Sequence, residues 1–345
     1  MQSLLSRWKY CDWSSTLAQD YEDVSVLVRR YRETRRAVRW PLPAELEAAL
    51  EVTLRNGFAE QLVNGPVEEI CVRHAAMTPD GMQKTMRLAE RHVLDRPLEG
   101  VGIELGAGCG LLSAVVASSP LVDQVLALEV CASSAELLVP RVATHLLGAQ
   151  ADKVIPAVGS FDDLRVPDHS FDFAVEFHSY HHASNLPQTM RELARVLRPG
   201  GVALLFDRVQ PDSMTDAEVQ ALLSAVYPAA FLQSYHYPPN MTLTRLENGE
   251  HEYRLREWQA AFSSAGLRIE RMVEFFPRVR LARAVKGLLS LLPSCVRRRL
   301  YRTENATPAT TWKYVAQCVE RLTPAGRQKI LSPHRDTVLL VRKPS

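Results

Sequence analysis

The sequence predicts an α/β fold in which seven strands form a doubly wound, mostly parallel sheet, with an N-terminal helical cap and helical insertions. After Arg96 and Pro97, short apolar runs alternate with helical segments, as they do in βαβ units. Before that point, apolar residues recur at helical spacing, for example at Met82, Met86 and Ala89. The composition, with 46% hydrophobic and 23% charged residues, is that of an ordinary globular chain.

The predicted elements alternate regularly after the cap. Strands are predicted at 101–105, 124–129, 153–157, 171–177, 202–207, 267–276 and 337–341. Helices are predicted at 111–118, 133–147, 186–197 and 254–265. Because most of the strands are followed by a helical segment, most neighbouring strands are expected to be parallel.

The chain is predicted to divide into a helical cap at residues 1–96 and an α/β domain at residues 97–345, with insertions at about 208–253 and 277–336. The helical pattern of the cap starts near Thr16 and includes Leu46, Leu50 and Leu54. The second insertion is helical and basic. The first is uncharged in its middle and carries aromatic rings and a histidine, at Tyr227, Phe231, Tyr235, His236 and Tyr237. Insertions of this kind usually cover a site at the strand ends.

The net charge gives no argument for a nucleic-acid or membrane partner. The 41 Lys and Arg residues stand against 39 Asp and Glu residues, for a formal charge of +2. The six cysteines form no Cys-x-x-Cys pair, which favours a reducing compartment and a cytoplasmic location. Residues 1–13 lack the apolar run of a secretory signal, and no transmembrane helix is expected.

The sharpest motif is a glycine-rich turn between a predicted strand and a predicted helix. The spacing E-x-G-x-G-x-G runs from Glu104 through Gly106, Gly108 and Gly110. Glycine allows positive φ and a close approach of a ligand to the backbone, and the helix N-terminus offers free N–H groups. Leu111 stands where a dinucleotide fingerprint has its third glycine, which disfavours the alternative of a nicotinamide oxidoreductase.

A second acid, Glu129, ends the next predicted strand. A carboxylate at this place can accept hydrogen bonds from the hydroxyls of a ribose. Taken alone, it would be explained as a surface glutamate. In register with the glycine motif, it is predicted to bind a nucleoside.

From residue 101 to about 208, the chain resembles the class I S-adenosylmethionine-dependent methyltransferases, especially the group that includes ubiquinone-biosynthesis-type enzymes. Four blocks match in order: Glu104–Gly110, Glu129, Gly159–Asp172 and Leu193–Gly201. The resemblance implies a Rossmann-like methyltransferase fold for the α/β domain and S-adenosylmethionine as the cofactor. It says little about the methyl acceptor.

The resemblance also implies roles for single residues. Gly106, Gly108 and Gly110 would form the floor under the methionine part of the cofactor. Glu104 would help to hold its amino group through the loop, and Glu129 would bind its ribose.

The third block departs from the pattern of the family. That pattern has an acid directly after the glycine, where it contacts the adenine amino group, whereas this chain has Ser160. The adenine contact is therefore expected either from Asp162, reaching back, or from Ser160 together with the backbone N–H of Phe161.

The turn after the fourth strand, Glu176–His182, lies where this fold has its reacting groups. Methyl transfer from a sulfonium is an in-line displacement, so it needs a positioned acceptor and, where that acceptor carries a proton, a base. Neutral imidazole suits this role. His178 and His181 are the candidate catalytic bases, with a hydrogen-bonded pocket role as the alternative for each, and Glu176 is expected to orient the cofactor.

Three histidines in five residues also raise the question of a metal. The spacing H-x-x-H-H matches no standard zinc motif, and no cysteine or second acidic cluster is close in the sequence. No metal is predicted.

Two basic clusters remain, one at residues 29–39 with six arginines and one at Arg297, Arg298 and Arg299. A solvated helix face explains both clusters. For the second, the alternative is a peripheral membrane contact through residues 281–302, in which leucines enter the interface and arginines meet anionic lipid. Nucleic acid is disfavoured, because no binding module accompanies the arginines.

These observations predict an enzyme that transfers a methyl group from S-adenosylmethionine to a small-molecule metabolite. One alternative is an RNA or protein methyltransferase, for which the basic clusters are the support. Another is a non-catalytic S-adenosylmethionine-binding partner subunit. The sequence does not identify the acceptor atom, the pathway or the oligomeric state.

Overall fold

The computed structural model of the chain describes residues 21–43, 46, 58–183, 185–234, 241–274 and 336–345. Eight strands in these ranges form one sheet. They are β1 Val38–Arg39, β2 Gly100–Leu105, β3 Val122–Glu129, β4 Val154–Val158, β5 Phe171–Phe177, β6 Leu197–Arg208, β7 Arg268–Glu274 and β8 Asp336–Arg342.

The helices flank this sheet. They are α1 Val24–Thr34, α2 Phe58–Leu62, α3 Val67–Ala75, α4 Pro79–His92, α5 Leu111–Ala117, α6 Val139–Leu147, α7 Leu186–Val196, α8 Asp216–Leu223, α9 Ala229–Ser234 and α10 Leu255–Ser264. A π-helical turn, Ser134–Leu138, leads into α6, and short 3-10 segments span Gly148–Lys153 and Tyr180–His182.

The strand order is β1-β4-β3-β2-β5-β6-β8-β7. Neighbouring strands are parallel except at β8, which is antiparallel to both β6 and β7. Each of the seven predicted strands is present, and helices cover both faces of the sheet. The predicted doubly wound α/β fold is therefore confirmed.

The additional strand β1 lies in a stretch whose pattern predicts helix. Val38 pairs with Ala157 at the edge of the sheet, and the backbone N–H of Trp40 donates to the carbonyl of Val158 at 2.9 Å. Val38 and Trp40 are both buried in the core on that side. The helical prediction was wrong here because pairing with an open sheet edge overrides local propensity.

The two faces of the sheet have separate cores. On one face, α2, α3 and α4 of the predicted cap share a core with α5 and α6, and the spacing of Met82, Met86 and Ala89 is confirmed by their burial. This packing buries α5 along its whole length. On the other face, α1, α7 and α10 cover the sheet. The cap boundary at residue 96 stays a prediction, and Leu50 and Leu54 lie outside the described residues.

Strand β2 is the point at which the chain order reverses, since β3 and β4 follow on one side of it and β5 and β6 on the other. Leu105, at the end of β2, is in register with Leu128 of β3 and Glu176 of β5. The carboxyl ends of these parallel strands therefore meet at one edge, where open α/β sheets bind ligands.

Two predicted features fall outside the described ranges, wholly or in part. Nearly all of the insertion at 277–336 does so, and so do residues 235–240 of the first insertion. Among the helices that are described, none has the length and apolarity to cross a membrane.

The register of β2 against β5 makes a testable prediction at Gly102. Its register partner is Phe173, and a Cβ at Gly102 would lie 2.1 Å from the Phe173 ring. We predict that Gly102→Ala lowers the free energy of unfolding by about 1–3 kcal/mol in a urea titration. Adding Phe173→Leu should recover part of that loss, because the smaller side chain leaves room for the methyl group. A Gly102→Ala variant as stable as the wild type would contradict this register.

Candidate functional site

The glycine loop after β2 has the backbone that its sequence predicts. Gly106, Gly108 and Gly110 have φ of 75°, 56° and 76°, which is the left-handed region that favours glycine. The loop is also closely packed. A Cβ at Gly106 would lie 2.3 Å from the Cβ of Ser179, and one at Gly108 would lie 3.0 Å from the imidazole of His74. Glycine at these positions therefore allows both the tight turn and the close packing of the Ser179 and His74 side chains against the loop.

Glu104 links β2 to the first turn of α5. Its carboxyl group accepts a hydrogen bond from the backbone N–H of Ser113 at 2.7 Å and another from the Ser113 hydroxyl. Burial raises the pKa of Glu104 to about 8, against the opposing effect of these hydrogen bonds. Glu104 therefore holds the helix whose N-terminus follows the glycine loop.

Glu129 lies against the same loop. One oxygen of its carboxylate accepts from the backbone N–H of Gly108 at 2.7 Å, and the other from that of Cys131 at 2.9 Å. A carboxylate can accept about four hydrogen bonds, so the two amides leave capacity for further donors. The structure therefore brings Glu129 and the glycine loop together, as the sequence predicts.

His74, on helix α3, is a residue of this site that sequence analysis missed. Its Nε2 lies 3.2 Å from the hydroxyl of Ser134, in the π-helical turn after β3. Burial lowers the pKa of His74, although the nearby charge of Glu129 acts in the other direction. No motif in the sequence marks His74, because its proximity to Gly108 arises only from the packing of the cap.

The third block begins beside Glu129 and turns towards α7. The Ser160 hydroxyl accepts from the backbone N–H of Asp162 at 3.1 Å, and the Asp162 side chain accepts from the Thr189 hydroxyl. Burial raises the pKa of Asp162 to about 7, in spite of the Thr189 bond. Phe161 packs edge-on against Tyr180, with ring centroids 5.4 Å apart. Asp162 thus has a structural partner on α7.

Glu176 organises the turn after β5. It is fully buried, and its Oε1 accepts from the backbone N–H of Ser179 and, at 3.2 Å, from that of Tyr180, while the Ser179 hydroxyl oxygen lies 3.1 Å from the same Oε1. Among the described residues, its Oε2 has no hydrogen-bond partner. Burial raises the pKa of Glu176 well above its usual range, and the charge of Asp207 adds to this effect. The Ser179 hydroxyl donates in turn to the carbonyl of Leu105 at 2.6 Å, so the turn is tied to the end of β2.

Asp207, at the end of β6, joins His178 and His181 in one cluster. The nitrogen and oxygen atoms of these three side chains that could bind a metal lie within 4.8 Å of one another. The Nδ1 of His181 lies 2.8 Å from Oδ1 of Asp207, and the His181 backbone N–H donates to Oδ2 at 2.9 Å. Burial acts to raise the pKa of Asp207, but the bond and charge of His181, followed by the charge of His178, outweigh it and lower that pKa.

The spacing of the histidines does not indicate Asp207, because this residue lies 26 positions after His181 in the chain. Asp207 comes from the neighbouring strand, where Phe177 is in register with Phe206. Its position at the end of a predicted parallel strand is the signal that could have identified it.

The geometry of this cluster is that of a hydrogen-bonded dyad. A cation bound to both atoms at its usual ~2.0–2.2 Å, in tetrahedral geometry, would keep them roughly 3.3 Å apart. The observed 2.8 Å is an ordinary hydrogen-bond length. Oδ1 of Asp207 also accepts from the backbone N–H of Arg208 at 2.6 Å. The arrangement therefore fits an aspartate that orients an imidazole.

The described part of the first insertion contacts the histidine turn. The backbone N–H of His251 donates to the carbonyl of His181 at 2.7 Å, and the hydroxyl of Tyr253 donates to the carbonyl of Ala183. Behind this contact, the insertion forms a buried network of ion pairs between Arg208 and Arg245 on one side and Glu250 and Glu252 on the other.

Residues 103–205 match a family model described as a methyltransferase domain. These residues form a methyltransferase domain. The matched stretch runs from β2 to β6 and includes Glu104, the glycine loop, Glu129 and the turn with His178 and His181, and Asp207 follows just after it.

The curated relatives cover parts of this chain. The uncharacterized methyltransferase YcgJ of Bacillus subtilis (strain 168) is 28% identical over 165 residues, which are 47% of this chain and 54% of the relative. The glycine/sarcosine/dimethylglycine N-methyltransferase of Actinopolyspora halophila is 31% identical over 94 residues, which are 27% of this chain and 17% of the relative. The chain thus spans about half of the first relative's length and less of the second's.

Solved structures of methyltransferases are similar to this chain. The YcgJ protein of Bacillus subtilis has a TM-score of 0.44 at 18% identity, covering 76% of this chain and 98% of that one. Phosphoethanolamine N-methyltransferase 2 of Haemonchus contortus, solved with S-adenosyl-L-methionine, has a TM-score of 0.49 at 14% identity, covering 87% of this chain and 60% of that one. The fold assigned to the methyltransferase domain rests on its own strand order and register.

The basic clusters lie away from the glycine loop or outside the described ranges. At residues 29–39 the arginines are exposed, and three of them pair with acids: Arg30 with Glu22, Arg35 with Asp152, and Arg39 with Glu136. The arginines thus form a solvated surface, of which Arg29, Arg30 and Arg32 belong to α1, whereas Arg35 and Arg36 follow the helix and Arg39 lies in β1. The second cluster, at residues 297–299, and the proposed membrane contact at 281–302 lie outside the described residues.

The pKa of Glu104 predicts a pH dependence of stability. Between its ordinary pKa of 4.5 and its value of about 8, the folded methyltransferase domain holds a proton that the unfolded chain releases. Wild-type stability should therefore fall, relative to Glu104→Gln, as the pH rises from about 5 to 8, by at most about 1.4 kcal/mol per pH unit. Urea titrations without ligand test this, with the exposed Glu99→Gln as the control. A constant difference across this range would contradict the buried, protonated Glu104.

Proposed function

We propose that this chain is an S-adenosylmethionine-dependent methyltransferase that acts on a small-molecule metabolite. The observation that carries the proposal is the meeting of the positive-φ glycine loop, Glu129 and the His181–Asp207 dyad at one edge of the sheet. The likeness to ubiquinone-biosynthesis-type enzymes and a cytoplasmic location belong to the same proposal, on the sequence arguments given above.

The residues of the glycine loop fit the cofactor. Backbone N–H groups at the N-terminus of α5 suit a polar ligand, and Gly106, Gly108 and Gly110 would support its methionine part. Glu129 would bind its ribose with the lone pairs that the Gly108 and Cys131 amides leave free. Glu104 would act from beneath the loop by holding α5 in place.

Other residues would complete the cofactor site. Ser160 and the backbone N–H of Phe161 are the better candidates for the adenine contact, because the Asp162 side chain already bonds Thr189. Glu176 would hold the turn that lies beside Gly106, through its bonds to Ser179. When bound, S-adenosylmethionine supplies an activated methyl group on its sulfonium centre.

The His181–Asp207 dyad would supply the general base that methyl transfer needs when the acceptor atom carries a proton. Asp207 stays ionised and accepts the Nδ1 proton of His181, which leaves Nε2 as the basic atom. Nε2 would take the acceptor's proton while the methyl group forms its bond to the acceptor oxygen or nitrogen. S-adenosylhomocysteine is the other product. His178, with a positive φ of 56°, would line the pocket beside His181.

The first insertion supports a small acceptor. Its bonds to the carbonyls of His181 and Ala183 hold it against the histidine turn. A segment in this position limits the space beside the dyad. The alternative functions are RNA or protein methylation and a non-catalytic role as a partner subunit. The experiments below distinguish them from methylation of a small molecule.

The first experiment tests cofactor binding by calorimetry. S-adenosylhomocysteine should bind in the micromolar range and NADH should not bind. Glu129→Ala should weaken S-adenosylhomocysteine binding about 10- to 100-fold, because two charge-assisted hydrogen bonds are lost. The exposed Asp123→Ala on the same strand is the matched control. Binding of NADH without S-adenosylhomocysteine would sink the proposal.

The second experiment tests the base. With an acceptor identified by a screen for transfer of labelled methyl groups, His181→Ala should lower kcat about 10²–10⁴-fold and leave S-adenosylhomocysteine affinity nearly unchanged. Asp207→Asn should also lower kcat, because it removes the acceptor of the Nδ1 proton. The exposed His145→Ala is the control. Full activity of His181→Ala would remove it as base, and a loss of wild-type activity on chelation that zinc restores would assign the cluster to a metal.

A further inference from the structure

We propose that Arg208 is a positioning residue for methyl transfer, because its ion pairs to the end of the first insertion fix the imidazole of His181 against Asp207. The proposal rests on the proposed function, since the base that Arg208 positions acts in that reaction. Arg208 directly follows Asp207 in the chain and lies beyond residues 103–205, which the family model matches.

Residues 250–254 lie beside the end of β6. The backbone N–H of Gln210 donates to the carbonyl of Tyr253 at 2.9 Å, and the N–H of Leu255 donates back to the carbonyl of Gln210 at 2.8 Å. Gln210 and Arg254 form a parallel β-bridge. The end of the first insertion therefore runs alongside the residues that follow Asp207.

Side chains alternate along residues 250–254. Glu250 and Glu252 both pair with the guanidinium of Arg208, with N···O distances of 2.9 and 3.6 Å. His251 and Tyr253 stack on each other, with ring centroids 5.5 Å apart and planes inclined by 10°. Alternation of this kind is expected of extended backbone. One guanidinium thus holds two side chains on the same side of the segment.

These ion pairs are buried and balanced in charge. The side chains of Glu250 and Glu252 are 8% and 0% exposed, and that of Arg208 is 13% exposed. Arg245 supplies a second cation to the same two glutamates. Removing one partner of a buried pair leaves a charge without its counter-ion, so the network strongly resists separation of the segment from β6.

One backbone hydrogen bond connects the segment to the base. The N–H of His251, which stands between the two glutamates, donates to the carbonyl of His181 at 2.7 Å. From the other direction, Asp207 accepts from Nδ1 of His181 at 2.8 Å and from its backbone N–H at 2.9 Å. His181 is therefore held from two sides, and both restraints originate at neighbouring residues of β6, Asp207 and Arg208.

The precision of this hold matters for the reaction. A general base must lie within hydrogen-bond reach of the proton that it removes, and a displacement of about 1 Å can cost roughly 100-fold in rate. Without the ion pairs of Arg208, the segment that carries the His251 N–H would separate from β6. Asp207 alone would then hold His181, and its Nε2 would lose its fixed direction.

The test uses two variants, Arg208→Met and Arg208→Met with Glu252→Gln. The double variant leaves Arg245 and Glu250 as a balanced pair, so it removes the restraint without leaving an unpaired buried charge. The matched control is Arg342→Met with Glu270→Gln. Arg342 is 17% exposed, pairs with Glu270 at 2.8 Å and is in register with Val202, towards the other end of β6.

The first measurement needs neither cofactor nor acceptor. In protein labelled with ¹⁵N-histidine, NMR detects the proton on Nδ1 of His181, which is assigned by its absence from His181→Ala. Exchange of this proton with water should be about 10-fold faster in both Arg208 variants, because the segment that covers His181 opens locally. The control should exchange as the wild type does.

The second measurement separates positioning from binding. With an identified acceptor, both Arg208 variants should lower kcat about 10-fold, while KM and the affinity for S-adenosylhomocysteine change less than about 2-fold. Wild-type exchange or wild-type kcat in the double variant would overturn the proposal, and so would an equal loss in the control. A wild-type protein that bound no S-adenosylhomocysteine would instead contradict the proposed function, and the NMR comparison would still test the hold of Arg208 on His181.

Discussion

The contact between the ends of β2 and β5 is the constraint on which the site depends. The chain order reverses at β2, so the loop after this strand and the turn after β5 must share one crevice. They fit because Gly106 has no side chain where Ser179 lies, and because the Ser179 hydroxyl bonds the Leu105 carbonyl. A larger residue at 106 would separate the two segments, and with them the glycine loop from the histidine turn.

Burial and hydrogen-bond partners give the carboxyl groups around this contact different charge states. Glu104 and Glu176 are deeply buried, neither forms an ion pair with a cation in the described part of the chain, and the pKa of each is raised. Asp207 is equally buried, but two imidazoles and two backbone amides surround it and its pKa is lowered. Burial therefore favours the neutral form of the two carboxyl groups that support the loop and the turn, while the partners of Asp207 favour the charged form that orients His181.

The features that depend on local pattern could be predicted from the sequence. The seven strands follow from apolar runs, and the glycine loop and Glu129 from the motif spacing. His74, Ser179 and Asp207 depend on contacts between distant segments, which spacing does not encode. Asp207 could have been predicted, because adjacent parallel strands end at the same edge of the sheet. The position of His74 over Gly108 could not have been predicted, because it depends on how α3 packs against the loop.

A crystal structure of the full chain grown with S-adenosylhomocysteine would show whether the cofactor binds at this edge of the sheet. We expect electron density for the ligand along Gly106–Gly110, with the ribose within hydrogen-bond distance of Glu129 and the sulfur facing the turn that carries His181. Density for the ligand at another edge of the sheet, or a ribose held without Glu129, would contradict it.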